Sequence, residues 1–202
     1  MKRINEIVSI VLIITILFCL TGCSMNKLSH VKIAEYLNKE TRYYQYDDID
    51  EFAKIFGTPV KGNEGFISFK DEKAQELYDR VFNKLFSYSD FNIVEATCSY
   101  GGNSSGANAL FLFTLNDEKE AEKFFKDVKT AFEDNGDTDN GVEKGITYFC
   151  SCKTTNKRHV IRNVYLEKNT VLIVMCAANE IYFVDDFLEY FKLPYIIDGI
   201  DD

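Results

Sequence analysis

An α+β fold is predicted by three features of this 202-residue sequence. Short alternating apolar segments interleave with segments whose apolar residues recur at steps of three and four. Two strand-then-helix units follow one another, and each leads into another strand. Three closely spaced strands and a last helix complete the chain. From Phe66 to Cys152 the order is βαββαβ, the ferredoxin-like split βαβ pattern, here extended by two strands and a C-terminal helix. The expected architecture is an antiparallel sheet with helices packed on one face.

Each element follows from local residues. Ser29 is placed to cap a helix from His30 to Glu40, with Ile33, Ala34 and Leu37 on one side. Arg42 to Tyr46 reads as extended. Asp47 or Asp48 opens a short helix through Ile49, Phe52, Ala53 and Phe56, which Gly57, Pro59 and Gly62 end. Gly65 to Lys70 is a strand. Asp71 then opens a helix whose stripe is Ala74, Leu77, Tyr78, Val81, Phe82 and Leu85. From Phe91 to Tyr100 the alternation puts Val94, Ala96, Cys98 and Tyr100 on one face. Gly101 to Gly106 is a turn, and Ala107 to Leu115 returns as a strand.

Asp117 and Glu120 have the spacing of a capping box. The helix after them buries Ala121, Phe124, Phe125, Val128 and Phe132. Asn135 to Gly145 is polar and reads as a loop. Strands follow at Ile146–Thr154, Val160–Lys168 and Thr170–Ala178, with a tight turn at Lys168-Asn169. Val171 to Ala178 is apolar on both faces, which marks a central strand. Ile181 to Phe191 is the last helix, stopped by Pro194. The unit running from Phe69 to Val81 echoes that running from Leu115 to Val128, with one extra residue in the second copy.

The N-terminus has a different composition. Lys2 and Arg3 precede an apolar run, Ile7 to Leu20, interrupted only by Ser9 and Thr15. That length suits the core of a signal peptide and falls short of the ~20 apolar residues of a spanning helix. Leu20-Thr21-Gly22-Cys23 follows. These residues resemble the lipobox of bacterial lipoprotein precursors. The resemblance implies cleavage before Cys23 and a thioether-linked diacylglycerol on Cys23. It divides the chain into a signal peptide (1–22), a lipidated cysteine with a short tether (23–28) and a single α+β domain (29–202). It places that domain on the extracytoplasmic face of the cell membrane, held there by lipid.

Charge narrows the partners. The whole chain carries a formal net charge of −9. Removing residues 1–22, with Lys2, Arg3 and Glu6, makes the remainder one unit more negative. An acidic domain is repelled by nucleic acid and by anionic headgroups. The expected partners are the membrane, through the lipid on Cys23, and an envelope protein or small ligand, with no nucleic acid.

The rest of the chain resembles small lipoproteins of low-GC Gram-positive bacteria. The residues that carry this are Phe111-Leu112-Phe113-Thr114-Leu115 running into Glu120-Ala121-Glu122-Lys123-Phe124-Phe125, the strand pair around Asn169-Thr170, and Phe187-Leu188-Glu189-Tyr190-Phe191. That resemblance implies no activity.

Candidate sites are few. Cys98, Cys150, Cys152 and Cys176 remain once Cys19 leaves with the signal peptide and Cys23 takes the lipid. An even number outside the cytoplasm suggests disulfides. Cys150 and Cys152 share a strand face and are poorly placed for each other, so Cys98 and Cys176 would each take one of them. Four buried thiols are the other reading. A zinc site lacks the usual paired spacings.

Gly102-Asn103-Ser104-Ser105-Gly106 matches Gly-x-Ser-x-Gly, but it joins two strands rather than a strand and a helix. Asn135, Asp137 and Asp139 alternate like calcium ligands, yet Ile146 stands where a bidentate Glu is needed. Lys153, Lys157, Arg158, His159 and Arg162 form the one basic cluster of an acidic domain. They suit an anionic ligand or an acidic partner patch. Tyr43, Tyr44 and Tyr46 suit sugar stacking or packing against the sheet.

No catalytic, metal or cofactor motif is complete. The expected function is that of a non-enzymatic binding or protein-interaction module. Its contact surface lies around Asn103, Ser104, Lys157, Arg158, His159 and Arg162. A cell-envelope enzyme or thiol-redox protein, using Ser104 or a cysteine, is the alternative.

Overall fold

The computed structural model describes residues 27–40, 43–56, 64–86, 90–103, 106–133, 136–155, 158–178 and 181–196. In chain order the elements are α1 (His30–Lys39), β1 (Tyr44–Gln45), α2 (Ile49–Ile55) and β2 (Gly65–Lys70). Helix α3 follows as an α-helix (Glu72–Leu77), a π-helical turn (Tyr78–Asn83) and a last α-helical turn (Lys84–Phe86). Then come β3 (Ile93–Asn103), β4 (Gly106–Leu115), α4 (Glu118–Phe132), β5 (Asp137–Glu143), β6 (Ile146–Thr155), β7 (Arg158–Glu167), β8 (Thr170–Ala178) and α5 (Ile181–Phe191).

The fold is α+β. Among the described residues eight strands form one mixed sheet in the order β1-β2-β3-β4-β8-β7-β6-β5. All pairs are antiparallel except β1 with β2. The split βαβ order expected from Phe66 to Cys152 is not the order found. In that pattern the strands on either side of a helix are parallel with another strand between them. Here β2 and β3, which flank α3, are direct antiparallel neighbours, Ile67 opposite Cys98.

Helices on a single face are also corrected. The core falls into two clusters on opposite sides of the sheet. On β4, Ala109, Phe111 and Phe113 belong to one cluster and Leu110 and Leu112 to the other. Helices α2, α3 and α4 cover the Phe111 face, and α1 and α5 cover the Leu110 face. The physical reason is the composition of the central strands. Strands apolar on both sides must be covered on both sides.

The local signals mostly hold. Asp48 caps α2, its carboxylate accepting from Glu51 N at 2.9 Å, and Asp117 caps α4, accepting from Glu120 N at 2.8 Å. The second half of the capping box is absent: the Glu120 carboxylate instead accepts from Asn92 N at 2.7 Å. Ser29 sits at the N-cap of α1 but makes no capping bond with its side chain. Asp71 precedes α3 with φ 55° and likewise makes no side-chain cap. A β-bulge between Ile93 and Glu95 turns Val94 out of its expected face, so it is exposed while Ala96 and Cys98 are buried.

Residues 137–143, expected as loop, form the edge strand β5. Both faces of that strand meet solvent, so it carries no alternation to read. Gly101 and Gly102 belong to β3 rather than to a turn. Strand β8 is central, as its apolar faces predict. Arg42, Gly57, Pro59, Gly62, Asn135 and the side chain of Leu85 lie outside the described residues.

Candidate functional site

The two ends of the sheet differ. At one end β2 and β4 finish and β8 begins. There α1 is bolted down through its first residue. Neutral imidazole has one donor and one acceptor nitrogen, and both of His30's are used. Nδ1 bonds Thr97 Oγ1 at 2.8 Å, and Nε2 bonds Thr114 Oγ1 at 3.0 Å. Thr97 Oγ1 is in turn 2.8 Å from Ser68 Oγ, and Thr114 Oγ1 is 2.9 Å from Thr170 Oγ1. One chain of hydrogen bonds thus crosses β2, β3, β4 and β8 beneath the start of α1. Burial, helped by Lys70, lowers the His30 pKa to about 3. A cavity of about 530 Å³ opens beside it, lined by Ser29, Lys32, Lys70 and Glu95 among others. Because His30 is neutral, buried and doubly bonded, this region clamps the chain and holds no poised base.

At the opposite end lies a groove of about 400 Å³ on the Phe111 face. Two cross-strand rows floor it. Tyr100, Ala109, Met175 and Arg162 stand opposite one another across β3, β4, β8 and β7. Gly102, Ala107, Ala177 and Val160 form the next row outward. Alanine and glycine leave the space that larger side chains fill further along the sheet, where Phe111 and Phe113 meet α3. Phe56, just past α2, walls one side. On the other side the Arg162 guanidinium lies 5.8 Å from the Phe132 ring of α4.

The structure splits the basic cluster. Arg162 is in the groove. Lys153, opposite Val160, is its diagonal neighbour on the same face and is exposed. His159 falls on the other face, where Nδ1 is 3.1 Å from Thr154 Oγ1. Ser104 and Lys157 lie outside the described residues, as do Cys23 and the rest of the lipobox. Of Asn103 and Arg158 only the backbone is described: Asn103 pairs with Gly106 and Arg158 with Thr155. Among the described residues no carboxylate lies within ion-pair distance of Arg162 or Lys153.

The cysteines divide between the faces. All four are buried thiols. Cys98 belongs to the Phe111 cluster, whereas Cys150, Cys152 and Cys176 belong to the other. The sheet therefore separates Cys98 from the partners expected for it. Cys152 and Cys176 both stand opposite Ile161 of β7, from either side. Two interstrand spacings put them ~10 Å apart, beyond the ~7 Å that a disulfide spans. Burial pushes the Cys150 thiol up to about 12 and Cys98 higher still. Cys150 Sγ donates to Pro194 O at 3.1 Å, so the segment after α5 covers it.

The tyrosine run serves packing at its ends. Tyr43 is buried and its hydroxyl donates to Asn108 Oδ1 at 2.7 Å, while Tyr46 packs on Phe52. Tyr44 is exposed. Asp137 and Asp139 lie in extended β5, paired with Cys152 and Cys150, and the Tyr148 hydroxyl donates to Asp139 at 3.2 Å.

Comparison with known proteins adds little. No family model matches this chain, and no curated protein does. A solved structure described as a GTP binding regulator from Thermotoga maritima aligns with 71% of this chain and 84% of its own. The identity is 14% and the TM-score 0.34. A likeness that distant carries no argument about fold or function.

Sequence reasoning found Arg162 and missed the groove. Its alanines are weak strand formers with no chemistry of their own. Their pattern becomes visible only when four strands are aligned in register.

Proposed function

We propose that this chain is a lipid-anchored extracytoplasmic binding module whose ligand site is the groove over Ala107, Ala109, Met175 and Ala177. The groove is the observation that carries the reading. It is concave, apolar, walled by aromatic rings and edged by a cation, the make-up of a small-molecule site. Its volume sits at the low end of the ~300–1,000 Å³ usual for such sites. The anchor rests on the sequence: the short apolar run, Gly22 and Cys23. Lipid on Cys23 would hold the domain at the membrane without a basic face, in keeping with its negative charge.

Expression of the full-length chain in a lipoprotein-processing bacterium tests the anchor. The membrane-extracted product should begin at Cys23 and carry diacylglycerol, and Cys23→Ala should release or misprocess it. A wild-type product that keeps residues 1–22 unmodified would overturn the anchor. The groove is tested separately, by blocking it with Ala177→Phe, since Ala177 is exposed and its replacement leaves the core untouched.

A further inference from the structure

We propose that the groove takes an unbranched apolar chain ending in a carboxylate, with Arg162 as the partner of the carboxylate. This rests on the groove being the ligand site and goes on to name the ligand's chemistry.

The floor of the groove is apolar. Ala107, Ala109, Met175, Ala177 and Val160 present only apolar side chains. The strands that carry them, β4, β8 and β7, are each paired on both sides. Their backbone N–H and C=O groups are committed to the ladder, Ala109 facing Tyr100 on one side and Met175 on the other. A peptide laid in the groove would leave its own amides without partners, which is costly in an apolar setting. An alkyl chain has no such groups and loses only its contact with water.

Shape agrees with this. A floor of alanines flanked by the larger side chains of Phe56, Tyr100 and Arg162 is a trough. Met175, unbranched and flexible, can adjust to a chain of variable length.

The edge of the groove is charged. Arg162 is half-buried, and its guanidinium carbon lies 5.8 Å from the centroid of the Phe132 ring. Among the described residues it has no carboxylate of the protein to answer it. Its planar fork matches a carboxylate in a two-point contact. Lys153, one diagonal away on the same face of the sheet, is a second positive charge near Arg162, outside the lining of the groove. An apolar trough edged by a cation in an otherwise acidic protein selects an anionic head on an apolar tail.

The test uses the full-length chain in phosphatidylcholine nanodiscs, with empty nanodiscs as the blank. Decanoate labelled with carbon-13 at the carboxyl, methyl decanoate and decylamine are titrated and followed by NMR. Decanoate should bind at least about ten-fold more tightly than methyl decanoate, the size of one charge-assisted hydrogen bond, and decylamine should bind weakest. Arg162→Gln should bring decanoate down to the level of the ester, and Arg162→Lys should restore part of the difference. Ala177→Phe should weaken acid and ester alike. Melting curves check that each variant is folded.

If acid and ester bind equally, or Arg162→Gln changes nothing while Ala177→Phe still blocks binding, the carboxylate assignment falls and the groove stands. If Ala177→Phe leaves binding intact, the groove itself is overturned as the ligand site. Absence of binding by all three probes overturns the alkyl-chain assignment.

Discussion

The backbone N–H of Leu28 donates to Glu167 Oε2 at 2.8 Å across 139 residues of sequence. Both residues are buried. A carboxylate at the end of β7 therefore holds Leu28 in place, next to the His30 clamp. That contact and the groove lie at opposite ends of the sheet.

Removing that acceptor should loosen the segment around Leu28. Glu167→Ala leaves the buried Leu28 N–H unsatisfied, at a cost of about 1–3 kcal/mol. Urea unfolding at pH 7 measures it. Proteolysis near residues 27–30 should quicken in the same variant. An unchanged midpoint together with unchanged proteolysis would mean that the contact contributes nothing.

His30 makes stability depend on pH in a defined window. Its pKa is about 3 in the folded chain, because burial and then Lys70 disfavour the charged ring. It is about 6.5 unfolded. The unfolded chain thus binds the extra proton between those values. The contribution of the neutral, doubly bonded ring is complete above pH 6.5. It fades as pH falls toward 3, by up to about 1.4 kcal/mol per pH unit. Urea midpoints at pH 7, 6, 5 and 4 should show this slope added to that of the carboxylates. In His30→Gln, which cannot titrate, it should be shallower.

The aromatic core between α3 and the sheet should be the most sensitive to truncation. Phe82 is fully buried, with its ring centroid 4.6 Å from that of Phe86, 4.9 Å from Phe111 and 5.2 Å from Phe113. Phe82→Ala should cost about 3–5 kcal/mol. Calorimetry should show either a large fall in Tm or loss of the folded state. A change below ~1 kcal/mol would contradict this packing.

Loss of the Asp117 cap should be milder. Asp117→Ala frees the Glu120 N–H at the start of α4 and should cost about 0.5–2 kcal/mol, whereas Asp117→Asn or Asp117→Ser should recover most of it. Thermal melts of the three variants decide.

The buried thiols should be silent until the chain unfolds. In native protein at pH 8, Cys98, Cys150, Cys152 and Cys176 should react slowly with a thiol reagent, since burial hides the sulfurs and raises the pKa values of Cys98 and Cys150. In urea all four should react at once without prior reduction. A requirement for reductant would reveal a disulfide and refute the reduced state described above.

Local chemistry was readable because it is local. Asp48 and Asp117 cap helices wherever they stand, and stripes such as Ala121-Phe124-Phe125-Val128 need only the 3.6-residue turn. Val171 to Ala178 announced a central strand because both of its faces are apolar. What the chain alone left open concerned neighbours in space. The direct β2–β3 pairing, the helices on both faces and the side of the sheet that each cysteine occupies all depend on strand order and register. One bulge at Val94 was enough to break the parity that it was expected to share with Ala96, Cys98 and Tyr100. Edge strand β5 hid because solvent on both faces imposes no pattern. The groove existed in the sequence only as scattered alanines, 107, 109 and 177. Hydrogen bonding across four strands brings them into two adjacent rows beside Arg162, and that alignment belongs to the tertiary structure alone.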